Sequence, residues 1–440
     1  MMLALLAWMA GAAPVPAWVE EGARSWETRA RVEAVLDNGL RVVVVPRGRV
    51  PWCGMATVVP GGATTDPPGR SGLAHLAEHL LFESGGGAGP RSDAHAEALG
   101  LRSNAFTLGD YTVLVEEFSP AVLREAVAVH AARLARLEFT DADLAREKRV
   151  VADERRFRVE EPPLAAADEG VVARLWGAHA FGRPVLGWPA EVAAIAPAEV
   201  RAWASAHLEP GRSVLVLAGA VDPAEALPVL RAAMTSWRPA TVLPGAPRPG
   251  PPPGPVDARL SVMRGRAGAV VWGARAAALG SPGEAVDRVL ARLLDGDAAA
   301  RLPDPPSPGP GTEFHTEYRP QAHHGDLVIT AQAPEPGHAD LVEAHLAAVL
   351  AALADGGPAP GALDAARGYV VTSLQKEVGW HVGLAERLAV DTALLGRPGA
   401  HAARQRDVWG VRSLDVRRRA EALRQPGALA RVAVVAGEPP

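Results

Sequence analysis

Cysteine is almost missing from this 440-residue chain, in which Cys53 stands alone. No internal disulfide can form, and no zinc site can be built on thiolates. Cys53 lies in an apolar, strand-like stretch and reads as a small core residue. Runs of basic residues are missing as well. With a net charge of −5 and a pI of about 6.2, nothing favours a nucleic-acid partner. Long apolar runs are also lacking. The first 18 residues carry no charged side chain, but Pro14 and Pro16 interrupt them, and they are too short for a stable membrane span. Ala10-Gly11-Ala12 or Val15-Pro16-Ala17 offers a small-residue cleavage site, although no Lys or Arg stands at the start. Residues 1–18 are therefore expected to be an export signal and the protein to be periplasmic. An apolar tail or a misplaced start would leave it cytoplasmic. Gly85-Gly86-Gly87 follows a helical stretch rather than opening one, which argues against a phosphate cradle.

What is present is enough apolar residue, 48%, for two or three packed domains. Asp37-Asn38-Gly39 inside Val32 to Pro46 predicts a hairpin. Strands are expected at 54–59, 111–116 and 213–218, and helices at 93–100, 120–137, from 140 onward, 171–177 and 198–207. Further on, strands are expected at 260–263, 269–272 and 326–332, and helices at 283–294, 341–354, 361–378 and 383–395.

The stretch Gly72-Leu73-Ala74-His75-Leu76-Ala77-Glu78-His79-Leu80-Leu81-Phe82 holds two histidines and a glutamate in the order H-x-x-E-H. On a helix, residues three and four apart share a face, so His75 and His79 project together with Glu78 beside them. Two imidazoles on one face can hold two corners of a zinc tetrahedron, and a neighbouring carboxylate can take a proton from the metal's water. This order is that of the inverzincins. A plain polar helix face would have the same residues. The leucines around them, however, make a buried helix, in which His and Glu need partners.

A catalytic zinc takes three protein ligands and leaves one position for water. Two histidines leave one vacancy. Downstream, Thr140 opens a helix with Asp141 and Asp143 in its first turn, and that helix carries Glu147 and Glu154, two turns apart on one face. Its dense charge equally suits a solvated, salt-bridged helix.

A proline-rich stretch divides the chain. The expected domains are 26–236 and 257–438, joined by a semi-rigid linker at 237–256. A repeat supports the division: 199–211 matches 415–427 without a gap, and each copy runs into a strand ending Ala-Gly. No second H-x-x-E-H occurs, and His323-His324 reads as a solvated loop pair.

Taken together, Leu36 to Leu40, Gly72 to Phe82, Asn104 to Thr107, Arg146 to Arg155, Phe181 to Gly187 and Val216 to Gly219 resemble the pitrilysin/insulinase family of zinc peptidases. The likeness is strongest to the short-chain bacterial members and to the β-subunit of mitochondrial processing peptidase. It covers the first domain nearly end to end and the second more loosely. The resemblance implies an α+β fold: two tandem homologous α/β-roll domains forming half of a clam-shell. It implies one Zn2+ per chain held by His75, His79 and a distal glutamate at Glu154. Glu78 would be the general base, and Glu147, seven residues before Glu154, would hold a ligand in place. Asn104 and Ala105 match a strand edge that pairs with a peptide substrate. Family active sites are completed by an Arg and a Tyr, seven apart, from the other half of the clam-shell. The corresponding places here are Ser307 and Phe314, while Tyr318 is preceded at that spacing by Gly311. The expectation is therefore a zinc endopeptidase subunit that pairs with a homologous subunit supplying Arg and Tyr, or with a second copy of itself. The alternative is a non-catalytic scaffold or peptide-binding subunit of the same fold.

Overall fold

The computed structural model describes residues 14–48, 50–83, 92–162, 164–239, 260–265, 268–295, 312–333, 338–359 and 361–436. Most of the expected leader (1–13), most of the proline-rich linker (240–256), Gly85 to Gly87 and Ser307 lie outside the described residues.

Eleven strands among these residues form two mixed sheets. In the first half they are β1 (Val32–Val35), β2 (Arg41–Pro46), β3 (Cys53–Val59), β4 (Arg102–Thr107), β5 (Thr112–Phe118) and β6 (Val214–Gly219). In the second they are β7 (Leu260–Gly265), β8 (Gly268–Ala276), β9 (Glu313–Pro320), β10 (Gly325–Ala333) and β11 (Leu429–Ala436). The first sheet runs β1-β2-β6-β3-β5-β4 and the second β7-β11-β8-β10-β9. Without β1, the two orders are the same, and so are the directions. β2–β6 and β7–β11 are parallel, and every other pair is antiparallel. The sequence repeat is the helix-plus-strand that supplies β6 and β11, interior strands at equivalent places in the two sheets. The hairpin at 32–46 forms as its turn signal predicts, with Gly39 at φ +86° and Val35 opposite Arg41.

The helices that build the site and join the two halves include α1 (Ala17–Glu27), α2 (Leu73–Glu83), α3 (Asp141–Arg155), α4 (Ala165–Trp176), α5 (Pro197–His207), α6 (Glu284–Leu294), α7 (His381–Leu395) and α8 (Ser413–Leu423). α5 precedes β6 and α8 precedes β11, in keeping with the repeat.

The first sheet is apolar on both faces. Val42 and Val44 of β2 point into one core, and Val43 and Val45 into another. That is why the run 42–45 shows no alternation. The second of these cores is closed by α7, a helix of the second half, through Leu384, Ala385, Leu388 and Ala389. Gly54 on β3 makes room for it: a Cβ there would lie 2.3 Å from the Val382 nitrogen. Reciprocally, α4 of the first half covers the second sheet, with Val171, Leu175 and Trp176 packed on Val271, Val328 and Val432. Each sheet is thus capped by a helix from the other half. α1 packs against both halves through Val19, Ala23 and Trp26. Residues 14–18 belong to this packed body: the Pro14 carbonyl accepts the Trp409 indole N–H, and Trp18 lies edge-on to Trp409. No helix among the described residues is long and apolar enough to cross a membrane.

Candidate metal centre and active site

α2 starts where a carboxylate meets unpaired amides. Asp66, buried in the preceding loop, accepts the N–H groups of Gly72, Leu73 and Ala74 at 2.8, 3.2 and 2.9 Å. It satisfies donors that a helix N-terminus leaves open and sets a carboxylate at its positive end. Burial pushes the Asp66 carboxyl up to about 7, against the pull of the three amides and Arg183. Gly72 has φ +86°, a conformation natural to glycine. Leu73, Leu76, Ala77 and Leu80 then pack with Leu144 and Val151 of α3 and Val200 and Trp203 of α5. Leu81 faces the sheet. The helix is buried as its leucines predict, and His75 and Glu78 are only 6% and 8% exposed.

α3 begins with a capping box in which Thr140 and Asp143 bond reciprocally. It lays Glu147 and Glu154 against α2 and turns Arg149, Ala152 and Asp153 to solvent. One face of the helix thus meets α2, and the other is charged and solvated. Its C-terminal end is fixed by Arg155, which donates to Glu169 (2.6 and 3.0 Å) and to the Gly187 carbonyl. Immediately after Glu154 and Arg155 the backbone widens into a π turn, Arg156–Glu160, a feature that frequently accompanies functional sites.

These elements bring three donors to one point. Glu154 Oε2 lies 3.4 Å from His75 Nε2 and 3.4 Å from His79 Nε2. The imidazole rings stand 4.6 Å apart at 69°, and all three ligand atoms fall within 4.8 Å of one another. Glu154 Oε2 is buried and has no hydrogen-bond partner. An orphaned carboxylate oxygen facing two imidazole nitrogens is costly unless a cation completes it. With metal–ligand bonds near 2.0–2.1 Å, the edge of a zinc tetrahedron is about 3.4 Å, so the donor set fits that ion in kind and in spacing. Around it, Glu147 Oε2 lies 3.2 Å from His79 Nδ1. Arg158 and Arg146 steady the outer oxygens of Glu154 and Glu147, at 3.0 and 3.2 Å.

The electrostatics separate the groups. Burial, reinforced by His79, holds the His75 imidazole down near 4, its neutral and ligating form. Burial also acts to lower His79, but Glu154, Glu78 and Glu147 outweigh it and raise that ring. The His79 imidazole beside it lowers Glu154, keeping it ionised. Burial raises Glu78, and the Thr107 hydroxyl opposes the rise by donating to Glu78 Oε2 at 2.5 Å. A carboxylate raised in this way is better matched to proton transfer near neutral pH.

Asn104 and Ala105 lie on β4, which pairs only with β5 among the described residues and so forms a sheet edge. Asn104 is exposed and Ala105 buried, and Asn104 Oδ1 accepts the Ala105 N–H at 2.9 Å. Ser103 anchors this strand by donating to Glu116, a buried carboxylate held by Arg133 at 2.5 Å. The same strand ends at Thr107, whose contact with Glu78 the sequence reading did not anticipate. Thr107 stands inside the quoted Asn104–Thr107 motif, but nothing in the order of residues shows where a hydroxyl points. Asp66 was likewise missed, because it meets the helix amides across a loop.

In the second half, α6 follows Gly283 as α2 follows Gly72. Val286, Val289 and Leu290 stand where His75, Glu78 and His79 would fall, so the equivalent helix has no ligands. Phe314 is half-buried against the core between the second sheet and its own helices, and the Tyr318 hydroxyl donates to the Ala277 carbonyl. His323-His324 is not a solvated pair. His323 is exposed, but His324 is 4% exposed and stacks on Phe181 with centroids 3.4 Å apart, because the β9–β10 turn is wedged against the first half.

A mixed fold of two like α+β units thus sets the H-x-x-E-H helix against a glutamate of a later helix, the residue order of the inverzincins. Residues 41–187 match the family described as insulinase (peptidase family M16), and residues 194–369 match the peptidase M16 inactive domain. The chain belongs to this family. It is 30% identical over 197 residues to an uncharacterised zinc protease of Mycobacterium leprae, spanning 44% of each chain. It thus covers less than half of that relative's length. The crystal structure of a protease from Helicobacter pylori superposes with a TM-score of 0.83 at 19% identity, over 92% of this chain and 99% of that one. The periplasmic protease PqqL from Escherichia coli gives a TM-score of 0.70 at 17% identity, over 97% of this chain but 48% of that one. These likenesses extend the shared fold across both halves of the chain.

Proposed function

We propose that this chain is a zinc-dependent endopeptidase that hydrolyses peptides or unfolded polypeptide segments, and that it is the zinc-bearing subunit of a dimer. The observation that carries this is the convergence of His75, His79 and the unpartnered Glu154 oxygen beside a raised carboxylate, Glu78. His75, His79 and Glu154 would hold the zinc ion, which when bound lowers the pKa of a water toward 7 and polarises the scissile carbonyl. Glu78 accepts a proton from the attacking water and returns it to the leaving amine, oriented by Thr107. Glu147 fixes the ring of His79 through Nδ1. The free edge of β4 at Asn104 and Ala105 offers the backbone against which an extended substrate can pair.

The dimer follows from what this chain lacks. Phe314 packs into the core and Tyr318 bonds to Ala277, so neither faces an open site as a donor. A homologous subunit would supply the Arg and Tyr, and a second copy of this chain is the other possible partner. The same absence favours the rival reading of a peptide-binding scaffold. For localisation we favour export to the periplasm. Because residues 14–18 pack into the fold, cleavage after Ala12 would leave those contacts intact, whereas cleavage after Ala17 would remove Pro14 and Val15.

The deciding experiment is Glu78→Gln, assayed alone and with candidate partner chains on a fluorogenic peptide. The variant keeps its zinc and loses at least about 10²-fold in hydrolysis, the usual weight of a general base. Undiminished hydrolysis would remove Glu78 from its role, and no hydrolysis by the wild type under any pairing would favour the scaffold.

A further inference from the structure

The turn between β4 and β5 is held from two sides. From the first half, the Ala63 and Thr64 amides donate to the carbonyls of Leu108 and Gly109 at 2.9 and 2.8 Å. These residues lead directly to Asp66, the carboxylate that caps α2. From the second half comes the β9–β10 turn. Its Ala322 amide donates to Asp110 Oδ2 at 2.6 Å, while Asp110 Oδ1 lies 3.4 Å from the Thr64 hydroxyl. Gln321 presses on Gly109 so closely that a Cβ at Gly109 would lie 1.6 Å from its side-chain oxygen. The β9–β10 turn is itself braced on the first half. Arg319 makes a paired contact with Asp168 of α4 (2.7 and 3.0 Å), Trp176 donates to Asp326, and His324 stacks on Phe181. Three residues before Asp110 is Thr107, which donates to Glu78.

We propose that Asp110 is a positioning residue for Glu78. It joins the β9–β10 turn of the ligand-free second half to the loop that sets the Thr107 hydroxyl against the Glu78 carboxylate. The inference rests on the reading of Glu78 as the general base. The second half then has a task in catalysis without contributing a reacting group: it holds the end of β4 at the height where Thr107 reaches Glu78. Asp110 never touches substrate. It acts through four residues of backbone, and its carboxylate is the one described side-chain acceptor between this turn and the second half.

The test compares wild type, Asp110→Ala and Asp110→Asn for zinc content, for kcat and KM on a fluorogenic peptide, and for amide exchange across residues 104–108. Asp110→Ala retains one zinc per chain and a KM near that of wild type, and its kcat falls by about 10- to 100-fold, the scale on which a misplacement of about 1 Å acts. Asp110→Asn keeps an oxygen that can accept the Ala322 amide and recovers kcat to within about threefold of wild type. In the alanine variant the 104–108 amides exchange at least about tenfold faster, and those of α2 do not. An alanine variant with wild-type kcat, a loss confined to KM, or an asparagine variant as impaired as alanine overturns the proposal. If the wild type cleaves no peptide, alone or with any candidate partner chain, the peptidase reading fails by itself. The exchange rates then decide whether Asp110 holds this segment, and unchanged rates overturn the inference.

Discussion

Glu147 Oε2 lies 3.2 Å from Nδ1 of His79, while the other nitrogen of that ring faces Glu154 at 3.4 Å. Glu147 can accept the Nδ1–H of this ring, and in the neutral tautomer that leaves the lone pair of the other nitrogen turned toward Glu154. Glu147→Gln keeps the size of the side chain and removes its charge. Its expected effect is a 10- to 100-fold weaker hold on zinc, the range seen when a ligand's supporting carboxylate is lost. Competition with a chelator of known affinity measures it.

Thr107 donates to the Glu78 carboxylate at 2.5 Å. Thr107→Val removes the hydroxyl at nearly constant volume. Hydrogen bonds to charged groups contribute about 1.5–3 kcal/mol, so kcat falls by at least about tenfold while zinc content stays at that of wild type. Unaltered kcat would mean that Glu78 is oriented by something else.

Three buried histidines that are not metal ligands give the fold an acid-sensitive component. Burial holds His207 near 4, and His324 and His401 near 3. As pH falls from about 6.5, the unfolded chain takes up protons that these buried rings refuse, so their contribution to stability is lost with acid. Asp326, raised by burial to about 6, works the other way over an overlapping range, because its folded form takes a proton first. The histidine term is isolated by His324→Phe and His401→Leu. Each replacement should shrink the stability lost between pH 7 and pH 5 by about 2 kcal/mol, since each pKa unit is about 1.4 kcal/mol. Denaturant titrations at the two pH values give the comparison.

Much of the site could be read from the sequence because its chemistry is local. His75, Glu78 and His79 are one helical turn, and their apolar neighbours announce that the turn is buried. Thr140 with Asp143 marks the start of the helix that brings Glu147 and Glu154. The 32–46 hairpin was legible from Asn38-Gly39, where a positive φ favours glycine. What could not be read depends on which surfaces meet. The periodicity of α4 and α7 shows that each has an apolar face, but not that each covers the sheet of the other half. Strand β9 was missed although Phe314, Thr316 and Tyr318 alternate with Glu313, His315 and Glu317. Its outward residues are charged or polar, and a proline-rich stretch precedes it, so it reads as loop. His324 looks like a polar turn residue until Phe181 arrives from 143 positions away to cover it. Thr107, Asp66 and Asp110 act through contacts between loops, which leave no periodic trace.

If two imidazoles and one remote carboxylate hold a single zinc ion, removing the carboxylate must release it. Metal analysis of the purified, zinc-loaded chain against its Glu154→Ala variant tests this most directly. One equivalent of zinc per wild-type chain is expected, and close to none in the variant at equal chelator exposure. Equal zinc in both would contradict it.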